Sequence, residues 1–182
     1  MNILVNNGIV NFSKEDFPML INGKAFVQSG ASFFSVSLMT KLFESGEKIV
    51  FFTALPPAKE LFRDQLSGRM NDNIIIIPTG NEEDFIKELD EIKDLDGRII
   101  LFKNIEDYSI KLFDKLKDRK LVIFSGDIDK CEFAEQLIGK EFKNRIFFSY
   151  PNNMKIENKI ELPKYSGHII GEKYNGEIKI SK

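Results

Sequence analysis

The residues whose types and spacing suit phosphate binding lie in one stretch near the N-terminus, residues 30–37. Gly30 and Ser37 have the separation of the frame G-x-x-x-x-G-K-S/T, in which backbone N–H groups cradle phosphates, the lysine reaches them and the hydroxyl holds Mg²⁺. Ser35 stands where the second glycine belongs, and Val36 stands where the lysine belongs. The stretch therefore keeps the spacing of a phosphate loop but lacks its charged group.

Two large rings, Phe33 and Phe34, fall inside the same frame. We expect them to occupy the space that a phosphate would need and to close the loop. Ser35 also carries a Cβ atom at a position where the backbone has to approach the ligand closely. These features predict a degenerate phosphate loop that binds no nucleotide, so we expect no cofactor.

Four carboxylates follow two predicted strands and form a second candidate site: Asp127, Asp129, Glu106 and Asp107. Ligands of open α/β sheets bind beyond the carboxyl ends of the strands, and carboxylate oxygens suit Mg²⁺. The D-x-D spacing resembles half of a Toprim metal site, although Lys103 takes the place of the glutamate which that family needs. Either aspartate could instead cap the following helix. A helix cap and a metal-dependent enzyme or unorthodox nucleotide binder both stay open.

Single residues offer little further chemistry. The sole histidine, His168, cannot build a multi-histidine metal site, and the sole cysteine, Cys131, excludes an internal disulfide framework. We expect the first to be an ordinary strand residue and the second a small buried residue. Lysines and an arginine in residues 111–120 are explained by a helix C-terminus and a solvated face.

Composition narrows the class of partner. The formal net charge is −2, which gives no global electrostatic reason to expect nucleic acid or an anionic membrane. The N-terminus lacks a basic region followed by a long apolar run, and no apolar run approaches about 18 residues. We therefore expect a cytoplasmic protein that binds neither membrane nor nucleic acid.

The elements that must position these residues alternate between strands and helices. Predicted strands cover residues 25–28, 48–53, 73–77, 98–102, 121–124 and 145–149, and predicted helices cover 33–44, 56–66, 81–95, 107–116 and 129–142. Near-continuous apolar runs such as residues 49–52 suit central strands of a parallel sheet. The alternation predicts an α/β fold, a three-layer α/β/α sandwich with a mainly parallel sheet and right-handed crossovers.

The two ends of the chain show a different pattern. Asn6, Asn7 and Gly8 between short apolar runs predict a hairpin, so residues 1–20 form an N-terminal ribbon and connector. We expect residues 12–23 to be a connecting segment, punctuated by turn residues. Residues 151–182 alternate apolar and polar positions and predict a C-terminal antiparallel extension with strands near 160–162, 168–170 and 177–180. We expect one domain over residues 1–182.

The order of elements over roughly residues 20–180 resembles the core of a RecA/KaiC-like P-loop ATPase. In that family a Walker B strand ends in an acidic residue, whereas the matching strand here is followed by Lys103 and Asn104. The resemblance implies P-loop NTPase topology in a pseudo-ATPase that acts through protein–protein contacts. Its partner would be a second copy, as a homo-oligomer, or an active ATPase paralogue. A generic α/β interaction module is the remaining alternative.

Overall fold

The computed structural model describes residues 2–24, 30–53, 73–78 and 82–181, and the fold is given for these. They form an α/β structure around one mixed, mostly parallel sheet of ten strands. The predicted strand at 25–28 and the predicted helix at 56–66 lie outside the described residues.

The strands are β1 (Asn2–Val5), β2 (Gly8–Val10), β3 (Met19–Asn22), β4 (Ile49–Thr53), β5 (Ile74–Pro78), β6 (Ile99–Lys103), β7 (Val122–Gly126), β8 (Asn144–Phe147), β9 (Ser166–Gly171) and β10 (Asn175–Ser181). The described helices are α1 (Ala31–Glu44), α2 (Glu82–Glu91), α3 (Ile110–Leu116) and α4 (Ala134–Gly139). Short 3₁₀ turns at Lys14–Asp16, Leu95–Gly97, Ile105–Asp107 and Ile128–Lys130 connect several of them.

The strands lie in the order β2-β1-β10-β9-β8-β3-β7-β6-β4-β5. All neighbouring pairs from β8 to β5 are parallel, and all pairs from β8 to β2 are antiparallel. The prediction of an α/β fold with a mainly parallel sheet is confirmed. The N-terminal hairpin and the C-terminal strands join through the β1–β10 pair and extend the same sheet.

Apolar residues fill both faces of the parallel half. Helix α1 contributes to the cluster on one face, and α2, α3 and α4 contribute to the cluster on the other. Successive residues of β6 alternate between the two clusters, so that Leu101 lies on the α1 face and Phe102 on the opposite face. Strands covered on both faces are apolar at nearly every position, which explains runs such as residues 99–102.

The prediction that residues 12–23 form a connector is wrong. Strand β3 lies within them, at the centre of the sheet between β7 and β8, and all four of its residues are buried. The strand is short, and Pro18 and Gly23, which are typical of turns, flank it. These flanking residues favour a turn more strongly than three apolar residues favour a strand. Asn22 is the last residue of the strand and pairs with β7. Its buried amide is satisfied because Nδ2 donates to the carbonyl of Ser149 over 2.6 Å.

The ends of the chain follow the prediction in part. Asn6 and Asn7 have φ angles of 49° and 67°, and the hairpin between β1 and β2 is confirmed. Strands β9 and β10 form the antiparallel extension, but residues 160–162 are not a strand. The predicted helix at 129–142 is shorter in the structure, where only α4 is an α-helix. A long-range hydrogen bond holds the turn before it, since the Ile128 N–H donates to Asn22 Oδ1 over 2.9 Å. In the part of the chain that the structure describes, no helix combines the length and apolar character needed to cross a membrane.

Candidate functional site at the carboxyl ends of the parallel strands

Helix α1 begins earlier than a phosphate loop at residues 30–37 requires. Gly30 is its N-cap, with φ at 72°, and the helix runs from the next residue. Ser35, Val36 and Ser37 therefore lie within α1 and are buried, which corrects the predicted loop frame. Strand β3 ends at Asn22, and α1 begins at Ala31. The residue that follows the capping glycine is Ala31, so the lysine is missing in this frame as well.

Ser35 and Val36 contribute to the packing between α1 and the sheet. Ser35 Oγ donates to the Ala31 carbonyl over 2.8 Å and lies 2.9 Å from Ser125 Oγ, which joins α1 to β7. Val36 is a core residue on the α1 face of the sheet. These contacts explain why small residues follow one another in this part of the helix.

The two phenylalanines of the frame are placed differently from one another. The ring of Phe34 is fully buried and packs against Phe12 and Phe148, with centroids 6.4 and 5.6 Å away. The side chain of Phe33 is 47% exposed. A Cβ atom built on Gly30 would lie 2.9 Å from Phe148 Cδ1, so the ring beside the capping glycine comes from the end of β8. Closure of the loop by the pair stays a prediction, since residues 25–29 lie outside the described part.

Lys103 is the last residue of β6 and is only 8% exposed. Alternation along the strand puts it on the same face as Leu101, the face that α1 covers, and in register with Ser125. Burial lowers the pKa of its ammonium group, and the nearby charge of Glu106 opposes this shift. Among the described residues no carboxylate lies within ion-pair distance of this ammonium.

Glu106 lies between the ends of β6 and β7. Its Oε2 accepts a hydrogen bond from the Asp127 N–H over 3.0 Å, and a Cβ atom on Gly126 would overlap this carboxylate. Burial raises the pKa of Glu106, while its backbone hydrogen bonds act in the opposite direction. The carboxylate thus holds the turn after β7 and is partly shielded from solvent.

The aspartates of the second candidate site do not act as a pair. Asp127 is buried, its side chain forms no helix-cap hydrogen bond, and its Oδ2 lies 3.7 Å from Lys130 Nζ. Asp129 is exposed and accepts from the backbone N–H and from Nδ2 of Asn152, each over 2.8 Å. Asp107 is also exposed. Within the described residues, no group of three or more potential ligands is placed to hold a metal ion.

The sequence prediction missed Asn22, which organises this edge. Its Oδ1 accepts from the Ile128 N–H, its Nδ2 donates to the Ser149 carbonyl, and its own carbonyl accepts from the Phe148 N–H over 2.8 Å. One side chain thus connects the end of β3 to the segments that follow β7 and β8. A buried polar residue at the end of an apolar run was the available signal, and it was interpreted as a turn.

The single cysteine, the single histidine and three basic residues of the 111–120 stretch are explained by their surroundings. Burial raises the pKa of Cys131 to about 12, so its thiol is unreactive at neutral pH. His168 is buried on β9, as expected for a strand residue, and its Nδ1 lies 2.9 Å from Tyr150 Oη. Three basic residues of the 111–120 stretch form ion pairs: Lys115 with Asp90, Lys117 with Asp114 and Arg119 with Asp96.

The carboxyl ends of β3, β6 and β7 therefore gather a buried ammonium, a partly buried carboxylate and hydrogen-bonded polar groups. Such an edge supports a rigid connection between strands, and its cation opposes the binding of Mg²⁺. Comparison with known proteins finds no family model, no curated protein and no solved structure that matches this chain.

Proposed function

We propose that the chain is a non-catalytic domain of the RecA/KaiC-like P-loop type, which acts through protein–protein contacts and does not hydrolyse ATP. The observation that carries the proposal is the buried ammonium of Lys103 at the end of β6. The resemblance implies a metal-orienting carboxylate at that position. A cation there repels Mg²⁺, and catalysis of phosphoryl transfer depends on the metal and on positioned charge.

The strand order supports the RecA-like part of the proposal. Strand β3, which precedes the connection to α1, lies inside the sheet, and β7 separates it from β6. Numbered along the chain, the six parallel strands lie in the order 6-1-5-4-2-3, which is neither the Rossmann nor the flavodoxin order. The order excludes these two doubly wound topologies and is compatible with the proposed one.

Exposed rings beside the start of α1 support a role in protein contacts. Phe33 is 47% exposed and Tyr165 is 58% exposed. The Cα atom of Tyr165 would lie 3.5 Å from a Cβ atom on Gly30, so Tyr165 lies beside the start of α1, which also carries Phe33. Aromatic residues are enriched in the buried centres of protein interfaces, where they contribute much of the binding energy.

Sedimentation equilibrium and an ATP turnover assay test the two halves of the proposal. We expect no ATP turnover above that of buffer, and self-association that the double substitution Phe33→Ser and Tyr165→Ser weakens by about tenfold or more. The matched control is Ile9→Ser, which removes a side chain that is 66% exposed on the outer strand β2. Mg²⁺-dependent turnover would overturn the non-catalytic assignment. A wild-type chain that stays monomeric would overturn the homo-oligomer and leave a paralogue as the partner.

A further inference from the structure

A cavity of about 340 Å³ lies on the sheet face opposite α1, at the antiparallel end. In β8, Ile146 belongs to the core on the α1 face, so Arg145 and Phe147 point to the other side. They pair in register with Ile170 and His168 of β9, which gives a block of four side chains on one face. The segment after β8, residues 150–160, passes over this block and is called the covering segment. The cavity lies between this segment and the block.

The walls of the cavity are mixed, and six of its ten lining residues are polar or charged: Arg145, Lys155, Glu157, Asn158, His168 and Asn175. Phe147, Ile170, Met154 and Ile156 supply the apolar surface, and Met154 is itself buried. The volume is at the lower end of the range for small-molecule sites. A ligand here would have a small apolar body.

Arg145 brings an uncompensated positive charge to this cavity. Its Nη2 donates to the Lys140 carbonyl over 3.0 Å, while its Nε is buried without a hydrogen-bond partner in the described structure. No described carboxylate lies within ion-pair distance of the guanidinium. Lys140 Nζ and Arg145 Cζ lie 5.7 and 5.9 Å from the centroid of the Phe142 ring, so a second cation adds to the local charge.

His168 contributes shape and hydrogen bonding to the cavity. Its Nδ1 lies 2.9 Å from Tyr150 Oη, and this hydroxyl also accepts from the Ile160 N–H over 3.0 Å. These bonds anchor the covering segment to β9. Burial lowers the pKa of His168, so its imidazole is neutral at pH 7. The guanidinium of Arg145 is therefore the cation on the sheet side of the cavity.

We propose that this cavity binds a small organic anion, with an apolar body between the covering segment and the sheet and one carboxylate or phosphate on Arg145. A guanidinium pairs well with both acidic groups because its planar donors match their oxygens. Among the lining residues, Lys155 adds a positive charge and Glu157 a negative one, so with Arg145 the lining carries an excess of one positive charge. The proposal is independent of the proposed function.

The sole histidine makes the test specific, because its imidazole signals in a proton–carbon NMR spectrum are unique. The wild-type chain is titrated with benzoate, with phenyl phosphate and with the neutral analogue benzamide. We expect saturable shifts of the His168 signals with at least one anion, and about tenfold weaker binding of benzamide. The anion that binds more tightly identifies the acidic group.

Variants decide whether the binding uses the cavity. Arg145→Met should weaken binding of the anion by about tenfold or more, and Lys111→Met, which removes an exposed cation elsewhere, should leave it unchanged. Ile156→Trp places a larger side chain in the cavity from the covering segment and should abolish binding. This variant keeps the test valid if the arginine variant does not fold. No saturable shift with either anion, or wild-type affinity in the folded Arg145 or Ile156 variant, would overturn the proposal.

Discussion

Replacing Lys103 by methionine should stabilise the protein. The ammonium group is at the end of β6 on the face that α1 covers, where the residue is 8% exposed, and no described carboxylate pairs with it closely. Methionine has a similar length and no charge to desolvate, so the substitution relieves a penalty of several kcal/mol per buried ion and loses only the partial compensation from Glu106. The expected net gain is about 1–2 kcal/mol in the free energy of unfolding.

Urea denaturation followed by circular dichroism measures this change, with Lys111→Met as the exposed control, for which we expect a change within about 0.5 kcal/mol. The pH dependence gives a second check. Because burial lowers the folded-state pKa of Lys103 below its ordinary value of 10.5, the unfolded chain binds more protons between the two values. The wild type should therefore gain stability relative to the variant as pH rises toward 10.5. A variant that is less stable by about 1 kcal/mol or more would refute the reasoning, since the ammonium would then be well paired.

Three further changes test other contacts. Gly30→Ala should destabilise by about 1–2 kcal/mol in urea, because φ is 72° and the new Cβ atom would lie 2.9 Å from Phe148; equal stability would contradict this geometry. Burial raises the pKa of Glu106, so the wild type should lose stability toward urea as pH rises above 4.5, and Glu106→Gln should not show this loss. Parallel pH profiles of the two proteins would contradict this expectation. The hydrogen bond from Arg98 holds the pKa of Asp94 at about 2. The stability that this bond contributes above pH 3.8 should therefore fall as pH approaches 2, and Asp94→Asn should weaken this pH dependence.

Periodicity predicted most of the sheet because strands buried on both faces need continuous apolar runs. Strands β4, β6 and β7 were found within one or two residues of their bounds for this reason. Helix α1 was found because small and apolar residues cover most of its surface and a Ser-Gly pair follows its end. The hairpin was found because asparagine and glycine tolerate positive φ.

The failures have a common physical cause, which is that local signals do not show long-range hydrogen bonds. Asn22 looks like a turn residue until its partners at Ile128 and Ser149, more than a hundred positions away, are known. Asp129 resembles a metal ligand or a cap, but Asn152 occupies both of its oxygens. The anion cavity could not be predicted, because its walls come from two strands and a covering segment.

The most direct test of the central claim is calorimetric titration of the wild-type chain with ATP in the presence of Mg²⁺. The proposal predicts no saturable heat at millimolar nucleotide, because the end of β6 carries the Lys103 ammonium and not a carboxylate, and neither Ala31 nor Val36 supplies a positive charge. Lys103→Asp, which places an acid at the end of β6, serves as the comparison. Micromolar binding by the wild type that requires Mg²⁺ would contradict the proposal, because a degenerate loop beside the Lys103 ammonium should not hold a Mg²⁺-nucleotide.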